Sequence, residues 1–228
     1  MNNLAIITAR GGSKRIPRKN IRYFLGKPII AYSIDVALKS KVFNEVMVST
    51  DDEEIAEIAE KYGAKVPFKR SDETSNDIAT TTDVILEVLS EYQKRGSNFE
   101  YACCIYPTAP FIQPENIKSG LFKMLELGAE VAFPVVKYSY PIQRALSIDE
   151  NGKLVMVCPE HSRSRSQDLT AHYHDAGQFY WFKVSAIKQN MELLKMNAVP
   201  IIIPETQVQD IDNEEDWVLA EMKYKLKN

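Results

Sequence analysis

The chain has 228 residues, of which 45% are hydrophobic and 26% are charged, and its formal net charge is −3. This length can bury the core of one large domain, and the slightly acidic balance argues against a general nucleic-acid-binding protein, which usually carries a clear basic excess. No apolar run approaches the ~20 residues that cross a bilayer, and the adjacent Cys103 and Cys104 lie in an apolar run that does not suggest a disulfide framework. We therefore expect one cytoplasmic domain over residues 1–228, without a nucleic-acid or membrane partner.

Short apolar runs alternate with helical patterns through the first 135 residues. Buried strands are predicted at residues 4–7, 45–49, 101–105 and 131–135. Between them, apolar residues recur at i, i+3, i+4 and i+7, which predicts helices around residues 55–62, 84–92 and 117–125. Strands that alternate with helices imply right-handed crossovers. The sequence therefore predicts an α/β fold with a mostly parallel, doubly wound, Rossmann-like sheet, in which ligands bind at the carboxyl ends of the strands.

The alternation of predicted strands and helices is interrupted between residues 137 and 174. Two short β-like pieces, 143–148 and 153–157, flank a turn, and a polar stretch rich in serine and arginine follows at 162–166. We interpret the segment as a small β-rich insertion that forms a lid or a dimerisation arm. After it the core pattern returns, with two strands and a last helix predicted at 178–182, 199–203 and 213–226.

The first predicted strand leads directly into a basic loop, residues 9–20. The loop carries five cationic side chains within ten residues and the glycine pair Gly11 and Gly12, but its spacing matches neither the P-loop nor the G-x-G-x-x-G fingerprint. Paired glycines let the backbone approach a ligand, and arginine and lysine hold the negative charges of a triphosphate. A solvated basic turn is the alternative. The position of the loop directly after a buried strand favours phosphate binding.

Two aspartates, Asp210 and Asp212, stand one residue apart just before the predicted last helix. In an extended segment, alternate side chains share a face, so both carboxylates could reach one hard cation such as Mg²⁺. The alternative is an ordinary helix N-terminus, because three more acidic residues follow at 214–216. We interpret residues 214–216 as the helix start and the two aspartates as metal ligands. His172 and His174 lack a third ligand at metal-binding spacing.

Four segments together resemble the CMP-sialic acid and CMP-KDO synthetase family, and the likeness covers nearly the whole chain. They are the loop A-R-G-G-S-K-R-I-P-R-K-N at 9–20, V-S-T-D-D at 48–52, Y-P-T-A-P-F at 106–111 and D-I-D at 210–212. The resemblance implies a nucleotidyltransferase fold, CTP and an acidic 2-keto sugar as substrates, Mg²⁺ as cofactor and a homodimer formed through the insertion. It also implies that the anomeric hydroxyl of the sugar attacks the α-phosphorus of CTP and that pyrophosphate departs.

The same resemblance assigns roles to residues of this chain. Arg10 and Lys19 would hold the phosphates and act in catalysis, and Asp212 would also help to deprotonate the sugar hydroxyl. The implied CTP site comprises Ala9, Arg10, Gly11, Gly12, Ser13, Lys14, Lys19, Asn20, Arg70, Asp77, Ala79 and Thr80. The implied sugar site comprises Tyr106, Thr108, Gln143, Arg144, His174, Asp175 and Gln178, and the implied metal ligands are Asp210 and Asp212.

The sequence departs from the sialic acid enzymes at the predicted sugar site. Tyr106 stands where those enzymes have glutamine, Gln143 replaces a lysine, and residues 174–177 replace the segment Arg-Pro-Asn-Gly. An aromatic face in place of an amide suits a less hydroxylated sugar. The segments 103–110 and 173–181 resemble the family members that act on pseudaminic acid, a sugar of bacterial flagellin and surface glycosylation. The resemblance therefore implies pseudaminic acid in preference to legionaminic acid, sialic acid or KDO.

Two questions stay open at this point. The sugar carboxylate needs a cationic partner, and Arg144, Arg163 and Arg165 in the insertion are the candidates. A CTP-binding regulator that has lost catalysis is the alternative from another functional class. The paired Asp210 and Asp212 argue against it, because nucleotide binding alone would not require two carboxylates at the metal position.

Overall fold

The computed structural model describes residues 1–190 and 193–227 of the chain. Its strands, in chain order, are β1 (Asn3–Thr8), β2 (Tyr23–Phe24), β3 (Lys27–Pro28), β4 (Glu45–Ser49), β5 (Tyr101–Ile105), β6 (Val131–Lys137), β7 (Leu146–Ile148), β8 (Leu154–Met156), β9 (Tyr173–Asp175), β10 (Phe179–Lys183) and β11 (Ala198–Ile202). The predicted strands at 45–49 and 101–105 are confirmed at both ends, and the other predicted core strands lie within two residues of the observed ones.

Side-chain caps mark the start of two of the helices. Asp52 accepts a hydrogen bond from the Ile55 N–H, and Thr80 and Asp83 form a reciprocal capping box. The helices are α1 (Ile29–Ser40), α2 (Glu53–Lys61), α3 (Asp72–Ser75), α4 (Thr81–Lys94), α5 (Pro114–Glu126), α6 (Val184–Asn190) and α7 (Glu214–Lys227). The sequence reading did not identify α1, α3 or α6. In α1, eight of twelve residues are buried, so the helix lacks the narrow apolar stripe that marks a surface helix. None of the described helices is long and apolar enough to span a bilayer.

The main sheet has the strand order β11-β6-β10-β5-β1-β4, and β9 pairs with β6. Strand β1 is parallel to β4 and β5, and β6 is parallel to β11, which confirms the mostly parallel sheet. Strand β10 runs antiparallel to both β5 and β6, and β9 is antiparallel to β6. Both antiparallel strands, β9 and β10, lie where the chain returns to the core after the insertion.

Helices cover both faces of this sheet, as a doubly wound fold requires. Ala5 and Ile7 of β1 face a cluster built with α1, α2 and α5, whereas Leu4 and Ile6 face a second cluster built with α4 and α6. All four side chains are completely buried. Continuous burial of both faces explains why β1 is a run of apolar residues rather than an alternating pattern.

A third apolar cluster attaches the last helix to the basic loop. Ile16 of the loop and Ile211, which lies between the two predicted metal ligands, are both buried in it beside Trp217 of α7. Arg22 lies over the Trp217 ring, 4.5 Å from its centroid, and also binds Glu214 at 2.6 Å. These contacts hold the start of α7 against the loop that follows β1.

The insertion leaves the core at β6 and returns at β9. These two strands pair antiparallel, with Val136 opposite His174, and so close the base of the insertion. Its outer part is the β7–β8 hairpin, whose side chains are mostly exposed. The predicted strand at 143–148 is wrong in its first half, because Ile142–Arg144 forms a single 3₁₀ turn. The predicted division into one domain with an arm at 137–174 stays a prediction.

Candidate active site

The basic loop occupies the carboxyl end of β1, where the fold predicts a ligand site. Hydrogen bonds to backbone carbonyls fix its two ends. The Ala9 N–H donates to the Ser49 carbonyl at 2.9 Å, and the Asn20 side-chain amide donates to the Arg10 carbonyl at 2.9 Å. Because Ala9 is fully buried and its N–H is already bonded, it shapes the loop from behind rather than offering a side chain to a ligand.

The two glycines of the loop have different surroundings. The Gly11 N–H donates to the Asp51 carboxylate at 2.9 Å, and a Cβ at Gly11 would lie 2.8 Å from Asp52 Oδ2 and 3.0 Å from Asp52 Cβ. A Cβ at Gly12 would meet no atom within 4 Å. Gly11 is therefore required by close packing against Asp52, whereas the space beside Gly12 is open.

We expect Gly11→Ala to destabilise the protein by about 1–3 kcal/mol, the usual cost of an extra methyl group in a closely packed place. The variant should also weaken binding of the predicted ligand, CTP, because the loop must shift. Thermal unfolding and CTP titration measure the two effects. Gly12→Ala is the matched control, because it makes the same chemical change one residue away in open space and should leave the unfolding temperature unchanged. Equal losses of stability in the two variants would contradict the steric explanation.

A cavity of about 570 Å³ opens between the basic loop and the segment that follows β5. Four cationic side chains of the loop line it, which is the charge that a triphosphate requires. The lining residues are Thr8, Arg10, Ser13, Lys14, Arg15, Lys19, Asn20, Asp77, Thr81, Tyr106, Pro107 and Thr108. We refer to this space as the nucleotide cavity. It brings together most of the predicted phosphate-binding residues.

One acidic side chain, Asp77, holds two of these cations. Arg10 Nη1 lies 2.8 Å from Asp77 Oδ1, and Lys14 Nζ binds the other carboxylate oxygen. The side-chain bonds from Lys14 and Arg10 lower the pKa of Asp77 below its ordinary value. The structure therefore places Asp77 beside the cations that are predicted to bind phosphate, rather than at a position that faces only a base.

A smaller adjoining cavity of about 220 Å³ contains the predicted base-reading residues Arg70, Ala79 and Thr80. Arg70 is only 7% exposed. Its Nε donates to Ser49 Oγ at 3.0 Å and its Nη2 to the Ser49 carbonyl at 2.7 Å, and burial lowers its pKa. Arg70 is thus a fixed wall of this smaller cavity, not a surface residue.

Arg18 is the basic residue of the loop that serves structure. It forms ion pairs with Asp52 and Glu54 and does not line the nucleotide cavity. The side-chain hydrogen bond from Arg18 lowers the pKa of Asp52 to about 2. Because Asp52 also contacts Gly11 and caps α2, this pair fixes the back of the loop.

A third cavity, of about 490 Å³, lies on the other side of Tyr106. We refer to it as the sugar cavity, after the site that the sequence predicts there. Its lining residues are Tyr106, Val136, His174, Asp175, Ala176, Gly177, Tyr180, Glu205, Val208, Gln209, Asp210 and Lys223. Tyr106 lines both cavities, so the residue predicted to distinguish sugars forms the wall between the two spaces.

Tyr106 belongs to a group of polar aromatic contacts. Its ring lies 5.5 Å from the ring of Tyr180, and its hydroxyl lies 3.5 Å from Thr81 Oγ1. The Tyr180 hydroxyl donates to Asp175 Oδ2 at 2.7 Å, and the Gly177 N–H donates to Asp175 Oδ1 at 2.8 Å. Burial raises the pKa of both tyrosines, so both hydroxyls stay neutral donors at physiological pH.

The two predicted metal ligands lie in different surroundings, and Asp212 lines neither the sugar cavity nor the nucleotide cavity. Asp210 lines the sugar cavity, and burial together with the nearby charge of Asp212 raises its pKa. Asp212 binds Arg15 at 2.7 Å and lies 3.9 Å from Lys19 Nζ. Lys19 Nζ also donates to the Ile211 carbonyl at 2.7 Å, and burial lowers its pKa. Lys19 therefore connects the nucleotide cavity to the aspartate segment.

Several predicted sugar-site residues lie elsewhere. Gln143 binds the Thr170 carbonyl and His172 within the insertion, and Arg144 binds Ser166 Oγ at 3.3 Å. Gln178 is 3% exposed, and its Nε2 donates to the Gln207 carbonyl at 2.6 Å. None of Gln143, Arg144 and Gln178 lines the sugar cavity, and Thr108 lines the nucleotide cavity instead.

Within residues 1–190 and 193–227, no group of three or more His, Cys, Asp or Glu side chains is arranged to hold a metal.

The sequence reading missed residues on both sides of Tyr106. On the nucleotide side these are Thr8, Arg15, Thr81 and Pro107, and on the sugar side they include Tyr180, Glu205 and Lys223. Arg15 could have been found from its charge within the loop. Tyr180 had no such signal, because in β10 it reads as one more aromatic core residue, and Lys223 reads as an ordinary surface lysine of the last helix.

Comparisons with known proteins point to one family. A family model described as cytidylyltransferase matches residues 4–199. A pseudaminic acid cytidylyltransferase of Campylobacter jejuni is 44% identical over 99% of this chain and 97% of that protein. A CMP-N,N'-diacetyllegionaminic acid synthase of Legionella pneumophila is 33% identical over 97% of this chain and 95% of that protein. A solved CMP:2-keto-3-deoxy-manno-octonic acid synthetase complexed with CTP shares the fold, with a TM-score of 0.74, 18% identity and complete coverage of both chains.

Proposed function

Because the chain belongs to the cytidylyltransferase family, we propose that it transfers CMP from CTP to the anomeric hydroxyl of pseudaminic acid and releases pyrophosphate. The observation that carries the proposal is the pair of cavities that meet at Tyr106. One is lined by four cations and the other by tyrosines and carboxylates, of which Asp210 is one. A cationic space beside a polar aromatic space is the arrangement that joining a triphosphate to a sugar requires.

The nucleotide cavity would hold CTP by charge. Arg10, Lys14, Arg15 and Lys19 would bind the phosphates, and neutralisation of the pyrophosphate as it departs lowers the barrier of the transfer. The small cavity walled by Arg70 would take the cytosine, since backbone groups held rigidly at its edge can read a base by hydrogen bonding. CTP binding would require Asp77 to release Arg10 and Lys14, because phosphate competes for the same donors.

Asp210 and Asp212 would hold Mg²⁺. The residues fit this ion, because Mg²⁺ prefers one or two carboxylates together with substrate phosphates. Burial and the neighbouring Asp212 carboxylate raise the pKa of Asp210, and a bound cation would offset that unfavourable charge. When bound, the ion would polarise the phosphates and neutralise charge on the leaving group. Lys19, bound to the Ile211 carbonyl, would keep this segment in place.

The proton of the sugar hydroxyl would pass to Asp210 rather than to Asp212. Asp212 pairs with Arg15 at 2.7 Å and does not line the sugar cavity. Asp210 lines the sugar cavity, where the attacking hydroxyl would bind. This assignment replaces the sequence-based hypothesis that Asp212 takes the proton. Retention of most turnover by Asp212→Asn at saturating Mg²⁺ would support it.

Pseudaminic acid is preferred for two reasons. The C. jejuni relative that covers almost the whole chain carries that substrate in its name. In addition, Tyr106 and Tyr180 line the sugar cavity, and an aromatic lining suits a sugar with acetamido groups and few hydroxyls.

The proposal is tested by pyrophosphate release from CTP and Mg²⁺ with pseudaminic, legionaminic and sialic acids and KDO side by side. We expect the highest kcat/KM with pseudaminic acid. Higher kcat/KM with another of these sugars would keep the reaction and reject the substrate. Binding of CTP without turnover of any sugar would favour the regulator alternative.

We further propose a homodimer formed through the insertion. The β7–β8 hairpin exposes Leu146, Ile148 and Leu154, which are 58%, 72% and 69% exposed, and a contiguous apolar surface of this kind favours association. A monomeric mass by light scattering at micromolar concentration would contradict it. A cytoplasmic location and a part in flagellin or surface glycosylation stay predictions.

A further inference from the structure

The sugar cavity is rich in carboxylates. Asp175, Glu205 and Asp210 all line it, and a 2-keto sugar acid would bring one more negative charge into the same space. An anion that leaves water without a cationic partner loses far more solvation than the remaining contacts return. The substrate carboxylate must therefore bind where the cavity is positive.

Lys223 supplies that positive charge. Among the described residues that line the sugar cavity, it is the single lysine or arginine. It lies on α7, is half-buried, and its Nζ donates to the Val208 carbonyl at 2.9 Å. An ammonium group has three donors, so two remain for a ligand after this bond is made. The bond also fixes the side chain, which reduces the entropy lost when a ligand binds.

The position of Lys223 fits the chemistry of the substrate. In a 2-keto sugar acid, the carboxylate is attached to the carbon that carries the attacking hydroxyl. The cation that binds the carboxylate must therefore lie near the reaction centre. Val208, to which Lys223 is bonded, is two residues from Asp210, which borders the reaction centre in the proposed mechanism.

Two of the three arginines considered for this role have other partners in the same chain. Arg144 binds Ser166, and Arg165 binds Asp168 at 2.7 Å within the insertion. Neither Arg144, Arg163 nor Arg165 lines the sugar cavity. Gln143, which stands where the sialic acid enzymes have lysine, also lies outside that cavity and carries no charge.

We infer that Lys223 binds the carboxylate of the 2-keto sugar acid and so determines that this enzyme accepts acidic sugars. The inference rests on the proposed function and adds to it the residue that recognises the acid group. It assigns the role to a lysine on the last helix of the chain rather than to the insertion.

The test compares Lys223→Met with the wild-type enzyme, with pseudaminic acid and its C1 carboxamide as substrates. We expect the KM for the acid to rise about 10- to 100-fold, the factor that corresponds to a lost hydrogen bond between charged groups, while the KM for CTP stays unchanged. The preference of the wild type for the acid over the carboxamide should largely disappear in Lys223→Met. Lys223→Arg should restore most of that preference, because it keeps a cation at this position.

Lys225→Met is the matched control, since it removes the same charge from an exposed position two residues further along α7. An unchanged KM and an unchanged preference for the acid in Lys223→Met would overturn the inference. An equal rise in the KM for CTP would also overturn it, because it would show that Lys223 only holds the Val208 segment. A rise in the KM for the acid with Arg144→Met or Arg163→Met, but not with Lys223→Met, would assign the role to the insertion. Failure of the wild-type enzyme to use any 2-keto sugar acid would reject the proposed function itself.

Discussion

Asp210→Asn is expected to lower CTP turnover about 10²–10³-fold, which is the usual cost of removing one preorganised electrostatic contact at a reaction centre. The same variant is expected to stabilise the Mg²⁺-free protein at neutral pH. The two effects have one cause. Burial and the neighbouring Asp212 make a negative charge at Asp210 unfavourable, which raises its pKa. Asparagine removes that charge and, with it, both the metal ligand and the destabilisation.

The pH dependence of stability follows from the direction of this shift. A pKa that is higher in the folded state means that the folded protein binds the Asp210 proton more tightly than the unfolded chain does. Stability is therefore lost as the pH rises from about 4, the ordinary value for aspartate, through the raised pKa of Asp210. Asp210→Asn should lose less stability over this window. Unfolding temperatures measured from acid to neutral pH without Mg²⁺ check this.

Asp212→Asn is the informative comparison, because Asp212 is the favourable counter-charge of Arg15 and Lys19. Its replacement leaves the half-buried Lys19 with less compensation, so this variant should be less stable without Mg²⁺. Added Mg²⁺ should raise the unfolding temperature of the wild type but much less that of either variant. A loss of stability in Asp210→Asn, or an undiminished response of both variants to Mg²⁺, would contradict the assigned roles.

The fold was predictable where burial dictates composition. The two faces of β1 are covered completely, so its residues form an apolar run that a sequence reading identifies. The direction of β10 was not predictable, because an apolar run has the same composition in either direction. Helix α1 was missed for a related reason, since a helix buried on most of its circumference resembles a strand in composition more than an amphipathic helix.

The site was predictable where it follows a strand and less so where distant segments meet. The basic loop could be identified because its charge and glycines are contiguous. The contacts of Arg10 with Asp77, and of Lys223 with Val208, join segments whose spacing carries no local signal. Arg163 and Arg165 form a charge cluster in the insertion, but within one chain neither residue lines the sugar cavity, so charge alone did not indicate which space they serve.

Lys19→Met is expected to lower kcat about 10²–10³-fold, because the loss of one fixed charge that stabilises the transition state usually has an effect of this size. Lys19 is suited to this role because its side chain is only 18% exposed and its Nζ is bound to the Ile211 carbonyl. A half-buried charge is weakly screened, so it acts strongly on phosphate oxygens and on the departing pyrophosphate. The kcat and the KM for CTP, measured at two salt concentrations, provide the test.

Lys14→Met is the matched control for this variant, because Lys14 lines the same cavity but its side chain is 78% exposed. Solvent and salt screen an exposed charge, so its loss should cost less than about tenfold and should matter less at high salt. The loss in Lys19→Met should persist at high salt. Equal losses of activity in the two variants would show that burial of Lys19 is not the source of its effect on kcat. A lower unfolding temperature of Lys19→Met that accounts for its loss of activity would show the same. A large, salt-resistant loss confined to Lys19→Met would assign the fixed charge at the phosphates to the residue that also holds the Asp210–Asp212 segment.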